Sequence, residues 1–115
     1  MAEYLVLIYE DEDAIASAGP EAIEAMMDGH QAFGPLHGAS IRGGNALQPA
    51  STATSLRGDG AGGFSITDGA FFETKEALGG YYLIEAADLD EAIALAKAIP
   101  AAYGGVEVRP VRPLG

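Results

Sequence analysis

The sequence predicts one α+β domain in which two strand–helix–strand units share a single sheet. Short β-branched and aromatic runs stand at Glu3–Tyr9, Ser40–Leu47, Gly80–Ala86 and Val106–Val111, and such runs suit a pleated surface. Between the members of each pair lies a stretch whose apolar residues recur at helical spacing. The 115 residues, 49% of them apolar, are enough for one core and too few for two, so residues 1–115 are read as a single domain.

Each element has a local reason. Glu3–Tyr9 (EYLVLIY) is apolar, short and β-prone. Gly19-Pro20-Glu21 starts a helix, because glycine is tolerated at the N-cap and proline suits the first helical position. Ile23, Met26, Met27, His30 and Phe33 follow as a stripe on one face. Pro35 lacks an amide hydrogen and clashes with the preceding turn, so the helix is expected to stop or kink around Gly34. Ser40–Leu47 is a glycine-interrupted strand. Gln48–Thr67 is a hairpin with strands near Thr52–Arg57 and Phe64–Thr67 around the tip Gly58–Gly63. Asp68–Gly79 connects it to the strand Gly80–Ala86. Asp88 and Glu91 form a capping-box-like pair before the stripe Leu89, Ala92, Ile93, Ala96 and Ile99, and Pro100 ends that helix. Val106–Val111 closes the chain.

Strand–helix–strand twice over, with a hairpin between, is the split βαβ pattern of a ferredoxin-like sandwich. Right-handed crossovers put both helices on the same face of the sheet. Yet Glu3–Tyr9 is apolar on both faces, with Tyr4, Val6 and Ile8 on one and Leu5, Leu7 and Tyr9 on the other. Two helices cover one face, and an apolar patch on the other is larger than a monomer usually leaves wet. A second copy of the chain is the expected cover.

Composition excludes several classes. Seventeen acidic against six basic residues give a formal charge of −11, which repels phosphate backbones and anionic lipid and argues against nucleic-acid and membrane partners. The basic pair Arg109 and Arg112 alternates with apolar residues as the solvent side of a last strand does. There is no cysteine, hence no disulfide and no thiolate metal site. With two histidines and no ligand spacing, neither a metal nor any other cofactor is expected. The opening residues lack a basic n-region and run straight into acid, and no stretch approaches membrane-spanning length, so the expectation is a cytoplasmic protein. Gly58-Asp59-Gly60-Ala61-Gly62-Gly63 matches G-x-G-x-x-G in letters, but a strand follows it instead of the helix that would hold a pyrophosphate. Asp11, Glu12 and Asp13 lack the glycine and glutamate of an EF-hand loop and read as a solvated acidic turn.

Several stretches resemble one family. The first strand ending in Tyr-Glu, the Pro-Glu helix start with Met26-Met27, and Gly44–Pro49 (GNALQP) are similar to the YCII-related, DGPF-domain proteins. So are Thr67–Glu76 (TDGAFFETKE), Leu78–Tyr82 (LGGYY) and the closing VEVRPV, so that the resemblance spans the whole chain. The family's proline after Asp-Gly is Ala70 here, and alanine does not pre-set the turn. The resemblance implies a dimeric α+β barrel, with two ferredoxin-like sheets facing each other across a shared cavity. It implies much less about activity: most members are of unknown biochemical function. Some relatives in the wider group look like small enzymes, with a histidine–aspartate pair proposed for acid–base chemistry, and others look like accessory domains associated with transcription-factor systems.

The candidate site residues follow from both readings. His30 sits on the apolar stripe and is the side chain suited to proton transfer near neutral pH. The plainer alternative is a histidine at the core edge, bonded to a backbone carbonyl. His37 falls in a glycine-flanked turn and is expected in solvent. Asp68 opens the loop richest in family residues and could pair with His30, or could simply serve Asp-Gly turn chemistry. Glu73, Lys75 and Glu76 form a solvated charge run in which Lys75 is the one cation that could hold an acidic ligand. Tyr9, Asn45 and either Tyr81 or Tyr82 are candidates to line a cavity on the helix-free face. Two functions remain open. One is a non-catalytic module that binds a small ligand or a protein, including an accessory role in transcriptional regulation. The other is a small cofactor-free enzyme acting on an aromatic or acidic metabolite with His30 and Asp68. A close His30–Asp68 approach would favour the enzyme, and a wide separation the binding module.

Overall fold

A computed structural model describes residues 1–72 and 74–114 of the chain. In order, the elements are β1 (Ala2–Asp11), α1 (Glu12–Ser17), α2 (Pro20–His37), β2 (Ile41–Ala46), a single 3-10 turn (Ala50–Thr52), β3 (Thr54–Gly58), β4 (Phe64–Asp68), β5 (Glu76–Ala86), α3 (Leu89–Ala96) and β6 (Gly104–Pro110). Four strands form one antiparallel sheet in the order β2-β5-β1-β6. That is the split βαβ arrangement expected of a ferredoxin-like fold. β3 and β4 pair only with each other, as a separate two-stranded ribbon.

The core lies on one face of the large sheet. Tyr4, Val6 and Ile8 of β1 and Ile84 and Ala86 of β5 are buried there against Phe33 of α2 and Ala92, Leu95 and Ala96 of α3. Both helices therefore cover the same face. By strand alternation Leu5, Leu7, Tyr81 and Leu83 point the other way, and all four remain half-buried, whereas Val6 and Ile84 are at 0% exposure. The C-terminal residues Val111 and Leu114 form a shallow pocket beside Leu5 and Leu7.

Three elements differ from expectation. Pro35 does not stop the helix: α2 runs through it to His37. Proline disfavours helical geometry in the residue before it partly by clashing with that residue's Cβ, and here the preceding residue is Gly34. The proline also falls in the last turn, so only Leu36 and His37 of the helix follow the bond that it cannot make. His37 is consequently not a solvated turn residue. It is half-buried, its ring 5.1 Å from that of Phe33. The acidic run at Asp11–Asp13 is not a solvated turn either but the start of α1, with the Asp11 carboxylate accepting the Ala14 N–H at 3.1 Å. Acid at a helix N-terminus also suits the helix dipole. Finally, β5 starts at Glu76 rather than Gly80, extended by pairing with the end of β1 across a bulge.

The expected hairpin tip is present. Asp59 accepts N–H bonds from Ala61 (2.7 Å) and Gly63 (3.0 Å), which hold its carboxyl below the usual range. Gly60 and Gly62 take the positive φ values (82° and 89°) that favour glycine. At α3, Asp88 accepts the Glu91 N–H at 2.9 Å while the Glu91 carboxylate accepts from Ala87, a cap shifted one residue from the usual box. Replacing Asp88 by alanine should lower unfolding stability by about 1 kcal/mol, read as a lower urea midpoint with an unchanged slope. An unchanged midpoint would mean that this cap contributes nothing to the folded state.

Candidate functional site

Glycine and alanine make the site. Along the ends of β2 and β5, the positions facing α2 are Gly44, Ala46 and Gly80, across the register from Tyr82 and Ile8. These residues present almost no side chain to the helix passing above. Neither Gly44 nor Gly80 has room for one: a Cβ at Gly44 would lie 2.8 Å from the Tyr81 carbonyl oxygen, and one at Gly80 2.9 Å from that of Asn45. The space left is a pocket of about 470 Å³ between α2 and the sheet end. Met26, Met27, His30 and Gln31 line it from α2, Ile8 and Glu10 from β1, and Tyr82 from β5.

His30 sits on the buried side of α2, as its stripe position requires. Its Nδ1 lies 3.1 Å from the Tyr82 hydroxyl, hydrogen-bonded in a sense that depends on the imidazole tautomer. The two rings also stack, with centroids 6.2 Å apart, and the Phe33 ring packs against Tyr82 at 4.9 Å. The partner is thus a tyrosine side chain, not the backbone carbonyl of the plainer alternative. Burial pushes the His30 pKa below its ordinary 6.5, opposed in part by the negative charge of Glu10. Burial likewise raises the Tyr82 pKa, keeping the phenol protonated. At neutral pH the pair is therefore a neutral imidazole against a neutral phenol.

Glu10 is the site residue that sequence reasoning missed. It follows Tyr9 at the end of β1, and its carboxylate lies over Gly79, where a Cβ would collide with it. Gly79 is the extra residue of the β5 bulge, for Ile8 pairs with Gly80 and Tyr9 with Leu78. Alternation from Ile8 to Glu10 would have pointed to this face. The double glycine before Tyr81 was the visible sign of the bulge.

The other expected residues are dispersed. Asp68 is exposed at the end of β4, paired with Thr54 in the small ribbon, and its carboxylate bonds to no described residue. Gly69, with φ of 99°, makes the turn instead, its N–H donating to Ala53 and its carbonyl accepting from Ser55. His30 and Asp68 share neither a hydrogen bond nor a pocket. Lys75 lies 3.7 Å from Asp11 with its side chain 86% exposed, a surface ion pair outside the pocket that His30 lines. Of its expected charge run, Glu73 lies outside the described residues. Asn45 donates to the Tyr81 hydroxyl at 2.8 Å on the helix-free side. Of the two tyrosines, then, Tyr81 faces away from the helices and Tyr82 towards them. Tyr9 borders a second pocket, of about 620 Å³, with Leu78, Ala70, Phe71 and Phe72 at the base of the ribbon. That pocket is more apolar, and among the described residues it has no hydrogen-bonded pair of titratable groups.

Among the described residues no cluster of His, Asp and Glu could hold a metal ion, and no helix is long and apolar enough to cross a membrane.

Fold and site together define a ferredoxin-like α+β protein with a ligand-sized pocket beneath its long helix. The chain belongs to the YCII-related family: the model of the YCII-related domain matches residues 2–115. It is similar, too, to an uncharacterized protein of Rhizobium meliloti (strain 1021), at 37% identity over 113 residues covering 94% of this chain and 90% of that one.

The His30 environment makes a pH prediction. Its folded pKa lies below that of the unfolded chain, so between the two values the unfolded chain binds the extra proton. Its contribution to stability is intact above about 6.5 and declines as pH falls from there towards the folded pKa. An NMR titration of the His30 ring should give a midpoint below 6.5, and Glu10→Gln should move it lower still. A midpoint at or above 6.5 would contradict the burial of this ring.

Proposed function

We propose that the chain is a small-ligand-binding module, and that its ligand occupies the pocket between α2 and the ends of β1, β2 and β5. The observation that carries this is the His30–Tyr82 pair in a glycine-floored pocket whose lining is mostly apolar, with Glu10, Gln31 and Asn45 as its other polar groups. Ligand pockets commonly combine an apolar lining with a few placed polar groups. Methionines at Met26 and Met27 add an adaptable wall. A binding role is preferred to acid–base catalysis because the carboxylate expected to serve His30 sits on a different sheet, and a tyrosine takes its place. A fragment screen by NMR, followed at the Met26 methyl and the His30 ring, should find hits that shift both and stay chemically unchanged on long incubation. Turnover of a hit would favour the enzyme. A library that leaves both signals in place would remove the ligand-binding reading.

The helix-free face completes the proposal with a homodimer. The β3–β4 ribbon has one apolar side, where Leu56, Phe64 and Ile66 are 53%, 67% and 70% exposed. Each would gain about 2 kcal/mol on full burial. The chain measures 46 × 46 × 18 Å, with a radius of gyration of 16.1 Å, whereas a compact domain of about 100 residues has roughly 13 Å. A flat body with a projecting ribbon suits a second copy that covers both the ribbon and the face bearing Leu5, Leu7 and Leu83. Light scattering at micromolar concentration should report twice the 11.8 kDa chain mass. Ile66→Asp, which changes a side chain exposed in the single chain, should shift the mass towards the monomer without lowering helix content. A monomeric wild type would overturn the dimer.

A further inference from the structure

Glu10 is the point at which the pocket's chemistry becomes selective. Four described carboxylates are half-buried, Glu10, Asp11, Glu12 and Glu85. Asp11 caps α1 and meets Lys75, Glu12 accepts the Ala50 N–H, and Glu85 pairs with Arg42 at 3.2 Å. Glu10 has no hydrogen-bond or ion-pair partner among the described residues, and it lines the pocket. No lysine or arginine lines that pocket, so its one formal charge is negative while His30 is neutral. A carboxylate or phosphate ligand would face an uncompensated like charge in a chain that is already −11.

Building on the ligand-binding reading above, we propose that the pocket takes a small organic amine in its protonated form, with Glu10 as the counter-ion. The apolar body of the ligand lies along Ile8, Met26, Met27 and Leu47, and its ammonium group donates to the Glu10 carboxylate. The second nitrogen of His30, bonded to no described residue, is left as a polar contact for the same ligand. Tyr82 adds aromatic surface, which favours a cation over an anion of equal size. An acidic metabolite, by the same reasoning, finds no cation in this pocket to receive it.

Three probes sharing one body test this on the wild-type protein by calorimetry at pH 7.5: 2-phenylethylamine, 2-phenylethanol and phenylacetate. The amine should bind about tenfold more tightly than the alcohol, and phenylacetate most weakly. Glu10→Gln should abolish the amine's roughly tenfold advantage over the alcohol. Equal or tighter binding of phenylacetate, or an amine affinity unaffected by Glu10→Gln, would overturn the amine assignment while leaving a ligand pocket in place. If none of the three probes shifts the Met26 or His30 resonances, the pocket reading and the amine assignment fall together.

Discussion

β1 and β5 pair from Ala2 opposite Ala86 to Asp11 opposite Glu76, and that register decides where almost every side chain of consequence goes. It stacks Val6 beside Tyr82 and Tyr4 beside Ile84 on the helix face, and it sends Leu5, Leu7, Tyr81 and Leu83 to the other. Because side chains alternate strictly, a slip of one residue would exchange the two faces. The register is not uniform, however. The bulge sets Gly79 of β5, as an extra residue, opposite the step from Ile8 to Tyr9. It allows Glu10 to lie over the strand at the pocket and lets Tyr9 meet Leu78 on the helix-free side.

From that arrangement the site's chemistry follows. A pocket exists where α2 crosses residues without side chains, and its polar end is set by what the two central strands deliver there. β5 contributes Tyr82, which holds the His30 ring by one hydrogen bond and a stacked contact. β1 contributes Glu10, which supplies charge and has no partner among the described residues. Desolvation dominates the titration of both rings, so the pair is poised neutral. This suits recognition, because a neutral pair can donate or accept according to the ligand, whereas a histidine–carboxylate pair would favour the imidazolium.

Much of the fold was legible in the chain. The apolar runs located the four sheet strands, the stripes at Ile23–Phe33 and Leu89–Ile99 located the helices, and the cap at Asp88 was visible from its glutamate three residues on. Pro35 misled because proline's usual effect was weighed without the glycine before it. Asp11–Asp13 misled because acidic residues read equally as solvated turn or as helix start, and only the following chain direction separates the two. At the site, His30 was legible from its place in the stripe. Its partner was not: Tyr81 and Tyr82 are adjacent, and choosing between them needs the register of β5 against β1. The direction of Glu10 was legible from its alternation with Ile8, but the room for its carboxylate was not, since that comes from a bulge that two glycines permit but do not dictate. Family resemblance drew attention to Asp68, which lies in the small ribbon and shares neither a hydrogen bond nor a pocket with His30.

The two pockets lie on opposite sides of the same sheet end, and Leu47 borders both, so the choice between them is sharp. Intermolecular NOEs from bound 2-phenylethylamine to the side chains of the folded protein decide it. They should reach the Met26 and Met27 methyls and the His30 ring. NOEs to Tyr9, Phe71 and Phe72 instead would put the ligand on the helix-free side and contradict the site proposed beneath α2.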